Sequence, residues 1–187
     1  MRLGFAMTLI LGSTFLGFLQ ASAAPPAKDP RVERGGYLVR IMGCNDCHTP
    51  LKMGPNGPEP DMSRMLSGHP RLLQMPPAPD LGKGPWGWVG ATTNTAFAGP
   101  WGTSFSANLT PDTETGLGSW TEKNFLEMAR TGRHQGKGRP VLPPMPVACL
   151  GAATDEDLRA VFAYLQSIPA IENAVPQPID PPEPAGK

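Results

Sequence analysis

The chain contains 187 residues, of which 24 are proline and 22 are glycine. Hydrophobic residues make up 40% of the sequence and charged residues 17%, a balance that excludes a fully disordered chain. Sixteen basic and 16 acidic residues give no net charge and no basic stripe of the kind that binds nucleic acid. We therefore expect one small core with long irregular connections, which requires an additional stabilising element.

The N-terminal segment has the pattern of an export signal. Arg2 provides a positive charge before a largely apolar run over residues 3–19, and residues 21–23 (Ala-Ser-Ala) match a small-x-small cleavage pattern. We predict that residues 1–23 are a cleaved signal peptide and that the mature, periplasmic chain does not span a membrane. The alternative is an uncleaved membrane anchor, although the apolar run is at the short limit for a span.

The first helix is predicted over residues 30 to about 42. Asp29 can cap this helix, with Pro30 in its first position. Gly35 and Gly36 lie inside it, where glycine lowers helix stability. We expect these glycines to allow close approach of another helix; the alternative is a weak, frayed helix.

Two of the three cysteines lie in the pattern Cys44-Asn45-Asp46-Cys47-His48, which is the attachment pattern C-x-x-C-H for c-type haem. Two thiols on one helical turn can each form a thioether with a haem vinyl group, and His48 can supply the proximal nitrogen. A thioredoxin-like site would need a βαβ context, and a zinc site a second Cys/His pair. We predict one covalent haem c attached through Cys44 and Cys47, which is also the missing stabilising element.

Residues 49–107 are predicted to be a long loop inserted in the domain, because their prolines preclude any long regular element. We expect the aromatic residues of this segment to pack against the haem or the helices, or alternatively to form an ordinary hydrophobic patch. These aromatic residues are Trp86, Trp88, Phe97, Trp101 and Phe105. A carbonyl group of Pro50 or Pro55 is expected to orient the other ring nitrogen of His48.

Two further helices are predicted in the second half of the chain. Thr121 begins the middle helix and Gly132 ends it, whereas Thr154 begins the last helix and Pro169 ends it. The last helix carries one apolar stripe: Leu158, Val161, Phe162, Leu165 and Ile168. Residues 171–187 are rich in proline and are expected to form an extended, disordered tail.

Met145 is the predicted second axial ligand of the haem iron. It lies in the segment Pro-Pro-Met-Pro over residues 143–146, where the prolines lower the entropy lost when the loop is fixed. Met/His ligation raises the reduction potential and fills both axial positions, which suits electron transfer. His69 and His134 remain alternative ligands, and a core-filling role is the alternative for Met145.

The order of helix, C-x-x-C-H, loop, helix, proline-flanked methionine and final helix resembles the class I c-type cytochromes over about residues 30–170. More closely, the chain resembles bacterial monohaem cytochromes related to the cytochrome subunits of dehydrogenase complexes. The resembling stretches are GPWGTSFSANLTPDTETGLGSWTEKNF, RTGRHQGKGRPVLPPMP and TDEDLRAVFAYLQSIP. This resemblance implies an all-α cytochrome c fold, with three or more short helices around one haem, over residues 24–170.

The resemblance also implies several residue roles. Asn108, Thr110 and Trp101 are candidate donors to the haem propionates, although the segment around Asn108 could simply form a turn. Gly36 is expected to contact an aromatic residue of the last helix. Cys149 has no obvious partner and is expected to be a buried free thiol, with an intermolecular disulfide as the alternative.

Three functions remain open at this point. We predict a periplasmic electron carrier that passes single electrons between redox proteins such as a dehydrogenase, an oxidase or another cytochrome, without catalytic residues or a nucleic-acid partner. The second possibility is an electron-accepting subunit tightly bound to a dehydrogenase. The third is a peroxidase or gas sensor, which would need an open position on the iron.

Overall fold

The computed structural model of the chain describes residues 29–82 and 84–181, so the predicted signal peptide lies outside the described residues. The α-helices of this part are α1 (Pro30–Ile41), α2 (Cys44–His48), α3 (Glu122–Thr131), α4 (Val147–Gly151) and α5 (Asp155–Ser167). Short 3-10 helices span Met62–Arg64 and His134–Gly136. Among the described helices, none is both long and apolar enough to cross a bilayer.

Two antiparallel sheets lie within the segment 49–107, and the prediction of an all-α fold is therefore wrong. The described fold is mixed, with five helices and five strands. The first sheet pairs β1 (Leu51–Gly54) with β2 (Gly57–Pro60). The second has the order β3 (Val89–Gly90), β4 (Ala96–Gly99), β5 (Gly102–Phe105).

Glycine and proline residues of this segment form the turns of two tight hairpins. Gly54 pairs with Gly57, and Gly99 pairs with Gly102, so two residues connect the strands of each hairpin. Gly57 and Gly102 have φ values of 117° and 89°, a region that glycine enters without a steric penalty. Strands of four residues or fewer are at the lower limit at which apolar alternation can be recognised, so the sequence pattern did not reveal them.

The three longer helices begin and end close to the predicted residues. The side chain of Asp29 accepts a hydrogen bond of 2.9 Å from the backbone of Arg31 at the start of α1. Thr121 caps α3, which ends at Gly132 in the left-handed conformation with φ of 65°. Thr154 caps α5 with its hydroxyl group. These caps confirm the predicted helix boundaries.

Helices α1 and α5 cross at the two predicted glycines. A Cβ atom on Gly35 would overlap the backbone carbonyl oxygen of Ala160, and one on Gly36 would lie 2.9 Å from the ring of Tyr164. Both contacts confirm the predicted close approach of a second helix. The largest fully buried core side chains around this crossing are Val39, Leu66, Leu158 and Leu165.

The chain after α5 runs back over the domain and is fixed to it. Asn173 is 1% exposed, and its amide nitrogen donates to the carbonyl oxygens of Ser67 (2.7 Å) and His69 (2.9 Å). Further along, Ile179 forms an antiparallel bridge with Thr103 through two backbone hydrogen bonds of 2.8 and 2.9 Å. The described part of the proline-rich tail is extended as predicted, but the expectation that it is disordered is wrong.

Candidate haem-binding site

A cavity of about 520 Å³ lies between α2, the sheet β3–β5, α3 and the proline-rich segment 143–146. Its volume is within the range of about 300–1,000 Å³ that is typical of cofactor sites. Aromatic and aliphatic side chains dominate its walls, including Phe97, Phe105, Leu117, Trp120, Phe125, Met128 and Leu142. The cavity is therefore suited to a large apolar cofactor.

Helix α2 presents the residues of the C-x-x-C-H pattern. It begins after Gly43, whose φ of 70° lets the chain turn sharply out of α1. Cys44 and Cys47 are free, half-buried thiols; Cys47 lines the cavity and Cys44 packs against the core. Burial raises the pKa of the Cys44 thiol to about 11 and also raises the pKa of Cys47.

The ring of His48 is oriented by a distant carbonyl group. Its Nδ1 atom lies 2.8 Å from the carbonyl oxygen of Ala107, and because a carbonyl can only accept, Nδ1–H donates. This contact leaves the lone pair of Nε2 available to a metal. Neither Pro50 nor Pro55 fills this role, and the carbonyl of Pro50 instead accepts a hydrogen bond from Asp61 at 2.8 Å. Burial lowers the pKa of His48, which favours the neutral ring.

Met145 reaches the same cavity from the segment between α3 and α4. The hydroxyl of Ser104 in β5 donates to the carbonyl oxygen of Pro143 at 2.6 Å, and this bond ties the segment to the sheet. On the other side, the backbone of Val147 donates to the carbonyl of Met145 at 2.8 Å. The fold thus brings Met145 and His48 to one cavity, while their binding of iron stays a prediction.

Asn108 and Thr110 form a buried turn whose polar groups bind other protein groups. The amide oxygen of Asn108 accepts from the backbone (3.0 Å) and hydroxyl (2.7 Å) of Thr110. The amide nitrogen of Asn108 donates to the carbonyl of Ile171 at 2.7 Å, and the hydroxyl of Thr110 accepts from the backbone of Ile171 at 3.0 Å. Asn108 lines the cavity, whereas Thr110 is fully buried behind it.

Trp101 lies in the turn between β4 and β5 and outside the cavity lining. Its indole nitrogen donates to the hydroxyl of Ser104 at 3.3 Å.

The predicted site residues divide into two groups by their position relative to the cavity. Those at the cavity are Cys47, His48, Asn108 and Met145, and those outside its lining are Cys44, Thr110 and Trp101. The propionate contacts of Asn108, Thr110 and Trp101 stay predictions.

The two alternative histidine ligands have different surroundings. His69 is fully buried; its ring nitrogens contact the hydroxyl of Thr95 at 3.0 Å and the carbonyl of Leu73 at 2.9 Å. Both nitrogens are thus occupied by protein groups. His134 lines the cavity and packs edge-on against Trp120, with 4.8 Å between ring centroids. Of these two alternatives, only His134 lies at the cavity.

Cys149 lies on α4 and is exposed, so the expectation of a buried thiol is wrong. Within residues 29–82 and 84–181, no group of three or more His, Cys, Asp or Glu side chains is arranged to hold a metal ion. The zinc alternative for the C-x-x-C pattern therefore gains no support from the described residues.

Two features of the site have no counterpart in the sequence interpretation. One is the carbonyl of Ala107, and the other is residues 174–178, which line one side of the cavity. The carbonyl could not be predicted because every residue has a backbone carbonyl, whatever its side chain. A signal for the second feature is Asn173, a residue able to form several hydrogen bonds, in a proline-rich segment.

No protein-family model matches the chain. It is 27% identical over 164 residues to the cytochrome c subunit of a quinone-dependent alcohol dehydrogenase from Gluconobacter oxydans, a match to 88% of this chain and 27% of that protein. It is 29% identical over 158 residues to the gluconate 2-dehydrogenase cytochrome c subunit of Pantoea cypripedii, covering 84% of this chain and 27% of the relative.

A further relative is a dihaem c-type cytochrome from Cereibacter sphaeroides, 32% identical over 145 residues, or 76% of this chain and 37% of that protein. The chain spans about a quarter of the length of the two dehydrogenase subunits. The matches nevertheless cover most of this chain, and they confirm the resemblance stated from its motifs. The chain is similar over most of its length to cytochrome c subunits of dehydrogenase complexes.

Proposed function

We propose that this chain is a c-type cytochrome that holds one haem c and transfers single electrons between redox proteins, with a dehydrogenase as the electron donor. The observation that carries the proposal is the meeting of His48 and Met145 at one apolar cavity beside the C-x-x-C-H helix. The names of the relatives support the choice of a dehydrogenase, because two of them are cytochrome subunits of such enzymes.

The residues that line the cavity, together with Cys44 beside it, fit a haem. Cys44 and Cys47 would form its two thioether bonds, and Nε2 of His48 and the sulfur of Met145 would bind the iron. The haem would supply a one-electron redox couple. The protein side of the site keeps the proton of His48 on Nδ1, through the carbonyl of Ala107, and excludes water with its apolar walls.

Glu114 and Arg139 are charged residues at the cavity, and Arg139 suits a cofactor that carries carboxylates. Arg139 lines the exposed rim, and its guanidinium donates one long bond of 3.4 Å to the carbonyl of Pro140. Arginine remains charged at all physiological pH values, so it can neutralise a carboxylate at this edge.

We place the chain in the periplasm, with residues 1–23 as a cleaved signal peptide, 24–170 as the cytochrome domain with the insertion 49–107, and 171–187 as a C-terminal extension. The support is the sequence of the N-terminal segment, together with the fact that c-type haem attachment takes place outside the bacterial cytoplasm. N-terminal sequencing of the exported protein tests the cleavage site.

The test of the haem assignment is spectroscopic. The exported chain, expressed with a haem-attachment system, should give a reduced-minus-oxidised spectrum of low-spin c-type haem and one haem per chain. Met145→Ala should lose the low-spin spectrum and bind CO rapidly in the reduced state, because the sixth position is opened. Met53→Ala is the matched control, since Met53 is 77% exposed on β1.

An exported chain without a low-spin c-type spectrum would contradict the electron carrier. Rapid CO binding to the unmodified protein, at a rate that Met145→Ala does not change, would instead favour the peroxidase or gas-sensor alternative.

The second candidate is a cytochrome subunit bound tightly to a dehydrogenase. Two of the relatives named above are cytochrome c subunits of dehydrogenases. The inserted segment also carries apolar side chains on its surface, including Leu72 and Trp86, which are 85% and 75% exposed. Purification from the native host in low salt separates the two candidates. A subunit would elute with a stoichiometric dehydrogenase, whereas a free carrier would elute alone.

A further inference from the structure

We propose that residues 171–179, here named the C-terminal strap, are part of the cofactor site and close one edge of the haem cavity against water. This inference rests on the proposed function, because it concerns the haem that the cavity would hold. It assigns a role to a segment whose composition alone indicates disorder.

The first anchor of the strap is Asn173. Besides its two bonds to the carbonyls of Ser67 and His69, its amide oxygen accepts from the side chain of Arg64 (3.0 Å) and the backbone of Arg71 (3.1 Å). A fully buried side chain with four such bonds fixes its segment firmly, since each group would be costly to leave unpaired.

The second anchor is the bridge between Ile179 and Thr103. The neighbouring Gly102 has φ of 89°, and a Cβ atom there would overlap the carbonyl oxygen of Ile179. The strap therefore lies so close to the hairpin β4–β5 that a side chain at position 102 would overlap it. That hairpin also carries Ser104, which holds the segment of Met145.

Between the two anchors, the strap lines the cavity with residues 174–178, which read Ala-Val-Pro-Gln-Pro. Four of these five side chains are apolar. Pro176 and Pro178 have no backbone N–H group, so the strap can face an apolar cofactor with fewer donors that need a partner. This composition suits a wall of the cavity.

The strap is also coupled to the residues that orient His48. Asn108 and Thr110 both bind Ile171 at the start of the strap. Asn108 directly follows Ala107, whose carbonyl fixes the His48 ring. Two of the three side chains that the family resemblance assigns to haem propionates thus join the strap to the His48 side of the cavity.

A closed strap should raise the reduction potential. Removing water lowers the local dielectric and disfavours the more highly charged ferric state. It should also slow the reaction of the haem with small hydrophilic oxidants, because they reach the exposed edge less easily.

The experiment compares two truncations of the haem-loaded protein. Ending the chain after Ala170 removes the strap, and ending it after Pro181 removes only residues 182–187, beyond the described part. The first truncation should lower the reduction potential and raise the rate of oxidation by ferricyanide several-fold relative to the second. The second should match the full chain in both measurements.

Two point variants keep the chain at full length in case the shorter truncation fails to fold. Val175→Glu places a negative charge at the cavity, whereas Met62→Glu makes the same change at a side chain that is 60% exposed and lies outside the cavity lining. Only Val175→Glu should lower the potential. Equal reduction potentials and oxidation rates within the pair of truncations and within the pair of point variants, with a normal haem spectrum, would contradict the role of the strap. A full-length chain without haem would contradict the proposed function itself.

Discussion

Thr49, the residue after His48, shows how single side chains hold the haem helix in position. It is fully buried, donates to the amide oxygen of Asn45 at 3.0 Å, and accepts from the backbone of Leu66 at 2.9 Å. Leu66 itself has φ of 59°, which is uncommon for a residue other than glycine, and its carbonyl accepts from Leu109 at 2.8 Å. The end of α2 is therefore fixed by contacts with two distant segments.

His69 should make the stability of the protein sensitive to acid. Burial lowers its pKa, because the charged ring loses hydration, whereas in the unfolded chain the pKa returns to about 6.5. The unfolded chain then binds more protons than the folded protein. The contribution of His69 to the free energy of unfolding should therefore be fully present above about pH 7 and should be lost as the pH falls below 6.5. Urea unfolding of the haem-loaded protein at a series of pH values measures this slope.

Glutamine variants of two histidines test which side chain causes this pH effect. His69→Gln should flatten the slope between about pH 7 and pH 5 more strongly than His134→Gln, because burial lowers the pKa of both rings but the side chain of His134 is exposed. An unchanged slope in His69→Gln would show that another group is responsible.

At the scale of residues, the sequence predicted those site residues whose side chains have a specific chemical use. Cys47, His48 and Met145 could be identified because thiol, imidazole and thioether groups at these positions have a defined chemical use, and the structure brings all three to one cavity. The contact from Ala107 could not be predicted, because any residue could supply that carbonyl. Asn108 was recognised as important, but its partner in the C-terminal strap was not.

Among the elements, the crossing of α1 and α5 depends most directly on the absence of side chains. Gly35→Ala should lower the free energy of unfolding by about 1–3 kcal/mol, because the new methyl group overlaps the backbone of Ala160 and the helices must separate. Helix propensity alone predicts the opposite sign, a gain of about 1 kcal/mol. Urea unfolding of the haem-loaded protein distinguishes the two.

Gly87→Ala is the control for this substitution. Gly87 has no atom within 4 Å of a Cβ position, and its φ lies outside the positive range, so the change should be close to neutral. A stabilised Gly35→Ala variant would contradict the tight crossing.

The helices were predictable because each has local start and stop signals, as with Thr121 and Gly132 around α3. The hairpins were missed because their signals conflict. Pro58 lies within β2, where proline usually argues against a strand, but β2 is an edge strand and tolerates it. In the second sheet, β4 is buried at three successive positions, Ala96 to Ala98, so it shows no alternation of apolar and polar residues.

For the molecule as a whole, the cofactor is expected to be a large part of the folding energy. Without the cofactor the apolar walls of the cavity would be exposed to water, and the stabilisation from burying them would be lost. The double variant Cys44→Ala with Cys47→Ala should therefore be largely unfolded by far-ultraviolet circular dichroism.

Cys149→Ala is the control for the loss of thiols. Cys149 is exposed on α4, so its removal should leave both haem content and circular dichroism unchanged. A double variant that is folded without haem would contradict the stabilising role of the cofactor.

Composition was the weakest guide at this scale. The high content of proline and glycine correctly predicted irregular connections, but it also predicted a disordered tail. A single buried side chain, Asn173, changes that outcome, because its hydrogen bonds hold a segment that could not otherwise bury enough surface. An average over many residues cannot register one such contact.

The position of the strap in the chain bears on the order of assembly. Under the proposed export from the N-terminus, Cys44 and Cys47 reach the far side of the membrane well before residues 171–179. One wall of the cavity is thus the last part of the described chain to arrive. A rigid planar cofactor can enter and be attached while that side is open, and the arrival of Asn173 then completes the enclosure as a late maturation step.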